Sequence, residues 1–546
     1  MQNLLKLKQQ ISWTVVILVG ILLIGTFLRT YEFHNWLFFG SDQVNDATRV
    51  GVVIDGSASW PLLGPDMSHS GAGGRAARFH LGPIYYYFEI ISGKIFGNYP
   101  DKFAYPDLLF SILSIPLLYY FLRRFFLKNI SLGLTGLYTL SFYILEFSHS
   151  AWNVNSIPFF VLLFLLSLYE FILNREKTLW RWVVFLGITL GVGVQLHAIL
   201  LVLFPMTLLF SFFFFMRKES FAWKQWLLII AIALFLNAPQ IWSEQQTGFA
   251  NTKIFFGSVK DTPNNGSDSF LVKFLNTANC HIQVNAYMIS SIGQDACDFT
   301  IIKMFGNHNE KALASLRDPS FVIGQIFSFG LSFLGYGLLI FFFRREGDQK
   351  KKYFLGLVLL YVTLSFFVLL PVDINLSRYF VHVFFVPLLF LGFIGQYLIE
   401  KYPKKYALIA IIIVFAVLTL LNSISIQKFV VGYIAKEKSV NNTIILGEIE
   451  SMVNYMIENS NEQKQLYLFT DKKQSNFIKS IMFIAEKRGY KIVRSDNSPN
   501  IIPLGSSVFL LSGSSETDPG ATINDRPLET YKNFGQVGIY KIKNEL

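Results

Sequence analysis

The sequence predicts a polytopic α-helical membrane protein of about eleven spans, followed by a small C-terminal α/β domain. The prediction depends on apolar runs long enough to cross a bilayer, on basic clusters between them, and on a change to a soluble pattern near residue 428. The apolar runs lie near residues 13–30, 103–122, 130–147, 156–173, 180–196, 199–216, 224–241, 320–343, 353–370, 379–399 and 405–424. We therefore expect the apolar runs to lie in lipid.

The composition agrees with a membrane protein and argues against a nucleic-acid partner. The chain of 546 residues is 52% hydrophobic and 15% charged, and it contains 56 phenylalanines. Its net charge of +11 lies mostly in the short loops between apolar runs, where basic residues orient helices beside anionic lipid. The first run is too long and too weakly terminated for a cleaved signal peptide, so we interpret it as an uncleaved anchor.

The basic clusters predict the orientation of the chain. They all lie on one side of the membrane if the N-terminus is cytoplasmic. The clusters are Lys6/Lys8, Arg123/Arg124/Lys128, Arg175/Lys177/Arg181, Arg217/Lys218/Lys224, Arg344/Arg345/Lys350–Lys352 and Lys401/Lys404/Lys405. We predict a membrane domain over residues 1–427, with outer loops at 31–102 and 243–319, in a bacterial-type cytoplasmic membrane. The closely spaced runs around His197 leave the number of spans open by one.

The tail, residues 428–546, is predicted to be an extracytoplasmic accessory domain. Residues 464–470, 506–511 and 535–543 have strand patterns, while 445–459 and 474–488 have helical periodicity. This alternation is typical of a small α/β fold. We expect the chemistry to lie elsewhere, because the tail has no clustered acid, base or phosphate-binding loop.

The two cysteines, Cys280 and Cys297, both fall in the second predicted outer loop. Sharing a compartment that can be oxidising favours a disulfide between them. A zinc site is the weaker alternative: His281 is adjacent, but the other ligands of a tetrahedral set are missing nearby.

Several polar residues fall at the predicted outer face. Asp42, Asp46 and Arg49 are spaced so that a helix would present them on one face, although a solvated helix lying on the membrane has the same pattern. Arg378 is the only basic residue in a short outer loop, against the orientation bias, and its planar guanidinium suits a phosphate. Asp107 follows Pro106 at a predicted helix start, so we interpret it as structural.

These residues resemble a known family. The resemblance runs through the first outer loop, the segment around Asn153, the segment before His197, and Arg378 with Tyr379. The matching strings are Asp42-Gln43…Asp46…Arg49, Leu63-Gly64-Pro65, Gly82-Pro83-Ile84-Tyr85-Tyr86-Tyr87, Trp152-Asn153-Val154-Asn155-Ser156-Ile157-Pro158, Gly191-Val192-Gly193-Val194-Gln195-Leu196-His197 and Arg378-Tyr379. In this order they look like family 39-like membrane glycosyltransferases of the GT-C superfamily, which include protein O-mannosyltransferases and the lipid A aminoarabinose transferase. The resemblance covers residues 10–425.

The resemblance implies a GT-C fold and inverting transfer of a sugar from a polyprenyl-phosphate carrier to a lipid, glycan or protein acceptor at the outer face. Asp42 matches the catalytic base, and Arg378 with Tyr379 matches a segment near the donor phosphate. By position, we expect acceptor or sugar contacts from Asp46, His80, Tyr85, Asn153 and Asn155, and further phosphate contacts from Arg49 and His197. Two residues depart from the family: Gln43 replaces a common Glu, and His197, mostly uncharged at neutral pH, replaces a common Lys.

The chemistry of this reaction fits these residue types. The incoming hydroxyl needs a base, and the leaving phosphate needs positive charge or hydrogen-bond donors. No cofactor is required by this scheme, and a divalent metal is left open. One alternative is a transporter or flippase of a lipid-linked sugar, which would more often have charged or broken helices near the midplane and inverted repeats. Another is an O-antigen-type ligase or polymerase with a different fold.

Overall fold

A computed structural model describes most of the chain, apart from the N-terminal segment and several connecting segments. The described residues are 13–68, 78–174, 179–216, 222–260, 270–292, 297, 319–370, 376–434, 444–461, 464–470, 477–494, 502, 505–513, 522–523, 526–534 and 537–543. Of the predicted basic clusters, the residues that lie outside the described part are Lys6, Lys8, Arg175, Lys177, Arg217 and Lys218.

Every predicted apolar run contains helix. The helices of the runs are α1 (Trp13–Thr30), α5 (Tyr105–Leu122), α6 (Lys128–Leu140), α7 (Phe142–Ser148), α8 (Ile157–Asn174), α9 (Trp180–Leu196), α10 (Ala198–Ser211), α11 (Trp223–Leu236), α12 (Ala238–Gln246), α15 (Pro319–Arg345), α16 (Gln349–Leu369), α17 (Val386–Lys401) and α18 (Lys404–Ile434). A π-helical turn, Phe212–Met216, extends α10, and a 3₁₀ helix, Ser377–Val383, precedes α17.

The number of membrane spans is supported in part. Among the described residues, six helices are long and apolar enough to cross a bilayer, or nine if each of three bent pairs counts as one span. The bends are 52° between α6 and α7, 61° between α11 and α12, and 54° between the 3₁₀ helix and α17. Two shorter apolar helices, α8 and α9, bring the candidates to the predicted eleven. The protein is thus a multi-pass membrane protein by the length and composition of its helices.

Polar side chains supply hydrogen bonds where helices bend. In lipid, each backbone group freed by a bend needs a partner inside the protein. Arg29, fully buried on α1, donates to Thr139 O at 3.3 Å just before the α6–α7 bend, and to Ser111 Oγ at 2.9 Å. Asn237, at the α11–α12 bend, donates to Ala233 O at 2.8 Å. These contacts keep the breaks compatible with a membrane interior.

Residues 31–102, predicted to lie outside and called the first outer segment below, form a folded unit of short elements in their described part. It contains α2 (Ser41–Ile54), an antiparallel pair β1 (Asp66–Ser68) and β2 (Arg78–His80), α3 (Ile84–Phe96) and α4 (Pro100–Phe103). Gly82 allows this unit to approach α9: a Cβ there would lie 2.1 Å from Gln195 Oε1. The Gln195 side chain instead accepts a hydrogen bond from Ile84 N at 3.2 Å, which ties the start of α3 to the membrane helices.

Residues 243–319, predicted as the second outer loop and called the second outer segment below, are mainly helical where the structure describes them. After α12 they form α13 (Ala250–Lys260) and α14 (Phe270–Ser290). The second half of α14 is buried, and the helix packs against α15, α17 and α18. Cys280, in the middle of α14, is bonded to Cys297 with the two Cα atoms 4.5 Å apart. This is the pairing expected from the sequence, but one partner lies in a packed helix and not in a solvated loop.

The tail contains a sheet flanked by two helices, as its sequence pattern indicates. The six strands are ordered β4-β3-β5-β8-β7-β6; β3 pairs in parallel with β4 and β5, and the remaining pairs are antiparallel. The elements are α19 (Leu446–Glu458), β3 (Gln465–Thr470), α20 (Ile478–Lys487), β4 (Lys491–Arg494), β5 (Ser507–Gly513), β6 (Thr522–Ile523), β7 (Arg526–Phe534) and β8 (Val537–Ile542). The sequence pattern did not predict β4, β6 or β7.

The tail is joined to the first outer segment by backbone hydrogen bonds. Leu446 N donates to Leu37 O at 2.8 Å, and Phe39 N donates to Ile444 O at 3.2 Å. Helix α20 packs against α2, and Ser480 Oγ donates to Phe39 O at 2.8 Å. The tail therefore supports α2 directly.

An ion-pair cluster lies at the same junction. His34 bridges two carboxylates, with Nδ1 3.1 Å from Asp101 Oδ2 and Nε2 3.2 Å from Glu450 Oε2. Hydrogen bonds that His34 donates to these carboxylates raise its pKa to about 9, so the imidazole is protonated at neutral pH. Glu450 belongs to the tail, and His34 and Asp101 belong to the first outer segment, so this cluster joins the two.

Candidate active site

Helix α2 presents two carboxylates in different environments. The helix begins after Gly40, whose backbone N–H donates to Gln43 Oε1 at 3.2 Å. Gln43 is buried and closes the first turn of the helix, as a Glu or Gln at this position does in a capping box. The departure from the family's Asp-Glu pair thus places a capping residue, not a second carboxylate, beside Asp42.

The two aspartates of α2 differ in exposure. Asp42 is exposed, and its carboxylate has no hydrogen bond or ion pair with any described residue. Asp46 is buried and accepts a hydrogen bond from Tyr86 OH at 2.6 Å. Burial, with the nearby charges of Asp42 and Asp66, raises the pKa of Asp46 to about 7, against the opposing effects of the Tyr86 hydrogen bond and Arg49. One carboxylate is open to a ligand, and the other is held inside the protein.

The tyrosines of α3 hold two buried carboxylates. Tyr86 binds Asp46, whereas Tyr85 OH donates to Asp107 Oδ2 at 2.8 Å. Tyr85 is only 1% exposed, so we remove it from the expected sugar contacts; Tyr86 is the residue that the sequence reasoning missed. A run of three tyrosines suggested a membrane-interface belt, and nothing in it distinguished the two neighbours.

His80 lies at the edge of the first outer segment. Its Nδ1 is 3.1 Å from Gly64 O, and its backbone is clamped by Asn251: His80 N donates to Asn251 Oδ1 at 2.6 Å, and Asn251 Nδ2 donates to His80 O at 2.9 Å. Asn251, on α13, carried no signal in the sequence. The pairing links the first and second outer segments.

A second group of predicted residues meets around Arg378. Its guanidinium carbon lies 5.1 Å from the centre of the Trp152 ring and 5.7 Å from that of Tyr379. Arg378 is half-buried and forms no salt bridge within the described part of the chain. The Tyr379 ring lies 6.0 Å from that of His197. The structure therefore brings together three of the four residues expected to bind the donor phosphate.

His197 and the 3₁₀ helix are held by specific hydrogen bonds. Ile199 N donates to His197 Nδ1 at 3.2 Å, so the buried ring accepts at that nitrogen and is neutral. Tyr143 OH donates to Ser377 O at 3.2 Å, which anchors the start of the 3₁₀ helix that carries Arg378. The fourth expected phosphate residue, Arg49, is instead exposed on α2 beside Asp46.

The predicted asparagines brace the turn that carries Trp152. Asn153 is buried, and its side-chain amide donates to Leu196 O. Asn155 is also buried and donates to Ser150 O at 2.6 Å and Ser150 Oγ at 2.8 Å. Both side-chain NH₂ groups donate within the protein, so we assign the two asparagines to support of the turn instead of contact with a sugar.

An apolar cavity of about 320 Å³ lies beside the 3₁₀ helix. Residues of α14, α15, α16 and the 3₁₀ helix line it, and the 3₁₀ helix contributes Phe380, two residues after Arg378. Its lining residues include Phe274, His281, Phe333, Tyr336, Phe366 and Phe380. In the parts of the chain that the structure describes, no group of three or more His, Cys, Asp or Glu side chains is arranged to hold a metal ion.

Comparisons with known proteins agree with this architecture. Residues 80–242 match the family model of the dolichyl-phosphate-mannose-protein mannosyltransferases. ArnT from Cupriavidus metallidurans, solved with undecaprenyl phosphate bound, is similar over 96% of this chain and 97% of its own, with a TM-score of 0.51 and 11% identity. The chain has the GT-C fold. The resemblance predicted from the sequence is thereby confirmed.

A second group of solved structures shares the GT-C fold. The oligosaccharyltransferase of Archaeoglobus fulgidus, in complex with zinc and sulfate, is 14% identical over 91% of this chain and 68% of its own, with a TM-score of 0.50. The same archaeal enzyme, AglB, in complex with an inhibitory peptide and a dolichol-phosphate, gives 14% identity and a TM-score of 0.50, over 92% of this chain and 69% of its own. No curated protein shows a significant match.

Proposed function

We propose that this chain transfers a sugar, with inversion, from a polyprenyl-phosphate-linked donor to an acceptor at the outer face of a cytoplasmic membrane. The observation that carries the proposal is the state of Arg378: a half-buried guanidinium on the Trp152 ring, with no carboxylate partner in the described chain, beside an apolar cavity. A phosphate attached to an isoprenoid chain matches both features, one charged and one apolar.

The donor phosphate is proposed to bind at Arg378 and Tyr379. Arg378 offers a planar set of donors to the phosphate oxygens. His197, which is neutral, contributes a hydrogen bond from Nε2 and no charge. The isoprenoid would occupy the apolar cavity, since its lining by Phe274, Phe366 and Phe380 suits hydrocarbon. The positive charge would then stabilise the phosphate as it leaves the anomeric carbon.

The acceptor hydroxyl is proposed to be deprotonated by Asp42. Its exposed carboxylate has no partner among the described residues and can accept a proton directly. Arg49, exposed on the same helix, would contact the acceptor or sugar, with His80 at the edge of the segment. Asp46, held inside the protein by Tyr86, would support the helix that carries Asp42. Phosphate leaves without being protonated, so one base is sufficient for an inverting displacement.

The orientation is part of the proposal. We place the N-terminus in the cytoplasm, count the two shorter apolar helices α8 and α9 as spans to reach eleven, and put the first outer segment and the tail outside. The site residues of α2 and the 3₁₀ helix then share the outer face. The tail serves as an accessory domain of residues 428–546, and the membrane domain of residues 1–427 carries the chemistry.

The first test is the identity of the lipid that the protein binds. Protein purified in nanodiscs should carry a polyprenyl phosphate, or its glycosylated form, detectable by native mass spectrometry. Arg378→Ala should lose most of this lipid. Arg345→Ala is the matched control, because Arg345 is an exposed arginine that also lies over an aromatic ring, 5.7 Å from the centre of Phe341, with a 3.9 Å contact to Glu400. Equal lipid occupancy in both variants would refute the assignment of the phosphate site.

A further inference from the structure

Asp107 is the buried carboxylate that connects the two halves of the site. It is 1% exposed and accepts three hydrogen bonds. Tyr85 OH donates to Oδ2 at 2.8 Å, Trp152 N donates to Oδ2 at 3.1 Å, and Ser156 Oγ donates to Oδ1 at 2.5 Å. One donor comes from α3 and two from the turn before α8. A residue that only capped its own helix would need neither neighbour.

On one side, Asp107 sets the position of the turn that carries Trp152. The hydrogen bonds from Trp152 N and Ser156 Oγ fix the backbone at both ends of that turn. The Trp152 ring in turn lies 5.1 Å from the guanidinium carbon of Arg378. An aromatic face at this distance attracts the cation and restricts where it can lie. A displaced turn would therefore move the Trp152 ring away from the guanidinium of Arg378.

On the other side, Asp107 sets the position of α3. Tyr85 and its neighbour Tyr86 are on the same turn of this helix, with one hydroxyl bound to Asp107 and the other to Asp46. Asp46 lies on α2, one turn after Asp42. Since a helical turn is rigid, the contact of Tyr85 with Asp107 also determines where Tyr86 meets α2.

We propose that Asp107 is a positioning residue that aligns the acceptor side of the site, through Tyr85, with the donor-phosphate side, through Trp152. This inference rests on the proposed function, because it assigns the donor phosphate to Arg378. Asp107 touches neither donor nor acceptor. It fixes α3 and the turn that carries Trp152 relative to each other. This role replaces the purely structural one that the sequence indicated for a residue at a helix start.

The test is a double-mutant cycle on lipid binding, with undecaprenyl phosphate as the probe and nanodisc-embedded full-length protein. Asp107→Asn should weaken binding about 2- to 30-fold, the range expected for loss of a cation–aromatic contact. In an Arg378→Ala background, Asp107→Asn should change binding by less than about twofold, because the two residues act through one contact.

A matched control separates positioning from stability. Ser114 lies on α5, as Asp107 does, and forms a buried 2.6 Å hydrogen bond with Tyr138 OH. Ser114→Ala should lower the melting temperature but leave the affinity for undecaprenyl phosphate unchanged. If Asp107→Asn behaves in the same way, or weakens binding equally with and without Arg378, the inference is wrong.

Milder variants keep the test informative if Asp107→Asn does not fold. Ser156→Ala removes one donor from the Trp152 side and should raise the Kd for the lipid. Tyr85→Phe removes the donor from α3 and should lower kcat while the Kd is retained. The reverse pattern would overturn the assignment of the two sides. A wild-type protein that does not bind undecaprenyl phosphate would overturn the proposed function as well, whereas binding that is weakened by Arg378→Ala alone would overturn only the role of Asp107.

Discussion

The assignment of Asp42 as the general base predicts that Asp42→Asn and Asp46→Asn have opposite effects on catalysis and stability. Asp42→Asn keeps the size of the side chain but removes its ability to accept a proton. General-base catalysis typically contributes about 10²–10⁴-fold, so kcat should fall by that factor. At about 1.4 kcal/mol for each factor of ten, this is about 3–5 kcal/mol of transition-state stabilisation.

The structure also predicts what Asp42→Asn leaves intact. Because the Asp42 carboxylate is exposed and has no partner among the described residues, its replacement should change the free energy of unfolding by no more than about 0.5 kcal/mol. The Kd for polyprenyl phosphate should also be retained, since Asp42 is assigned to the acceptor side. The assay is single-turnover transfer from a radiolabelled polyprenyl-phosphate sugar, with thermal unfolding measured in parallel.

Asp46→Asn is the matched comparison, with the opposite profile. Asp46 is buried and bound to Tyr86, so the change should affect stability more than kcat. Its pKa of about 7 in the folded protein exceeds the ordinary value of 3.8, so its stabilising contribution is fully present below pH 3.8 and is lost as the pH rises through 7. Asp46→Asn should therefore be least stable relative to wild type near pH 4, and the difference should narrow toward pH 7. Our choice of base would be refuted if Asp42→Asn transferred sugar at the wild-type rate while Asp46→Asn was inactive. The wild-type rate would in that case rise with pH up to about 7, the pKa of Asp46.

Three further predictions concern the tail, the disulfide and the orientation. The pKa of His34 is raised from 6.5 to about 9, so the ion pairs of its imidazolium stabilise the folded state fully below pH 6.5 and lose this effect as the pH rises through 9. The melting temperature of wild type should therefore fall over that pH range, while that of His34→Gln stays constant. Removing the Cys280–Cys297 bond by substituting both with Ser should destabilise the protein by about 3 kcal/mol, and a reductant should lower the melting temperature of wild type only. In intact cells, an impermeant thiol reagent should label a cysteine placed at Asn454 and leave one at Lys350 unlabelled; the opposite result would reverse the orientation.

The helices of the membrane part could be predicted because lipid imposes one simple rule. A run of about 20 apolar residues has few alternatives to a spanning helix, and every such run in the sequence is helical here. The bends in these helices could not be predicted in this way, because they depend on hydrogen bonds with residues far away in the sequence, such as that of Arg29 at the α6–α7 bend. The burial of α14 was also missed, since its mixture of polar and apolar residues is typical of an exposed segment.

The site could be predicted where a residue type has few structural uses, and not where it has many. An arginine in a short outer loop is unusual, and Arg378 does lie beside two other predicted residues. Asparagines and tyrosines serve equally well as ligands and as internal braces, and only the packing distinguishes Asn155 or Tyr85 from a substrate contact. Asp107 was assigned to its own helix because its partner Trp152 is 45 residues away in the chain.

The backbone hydrogen bonds between the first outer segment and the tail have a consequence for biosynthesis. Leu37 emerges from the ribosome early, but its partner Leu446 follows more than 400 residues later. At about 5–20 residues per second, this interval is roughly 20–80 s. During that time the segment that supports Asp42 lacks its final partner, so we expect the nascent protein to remain inactive until synthesis is nearly complete. A ribosome stalled before the tail would leave an inserted but immature protein, which a chaperone or protease at the outer face could recognise by its unpaired edge.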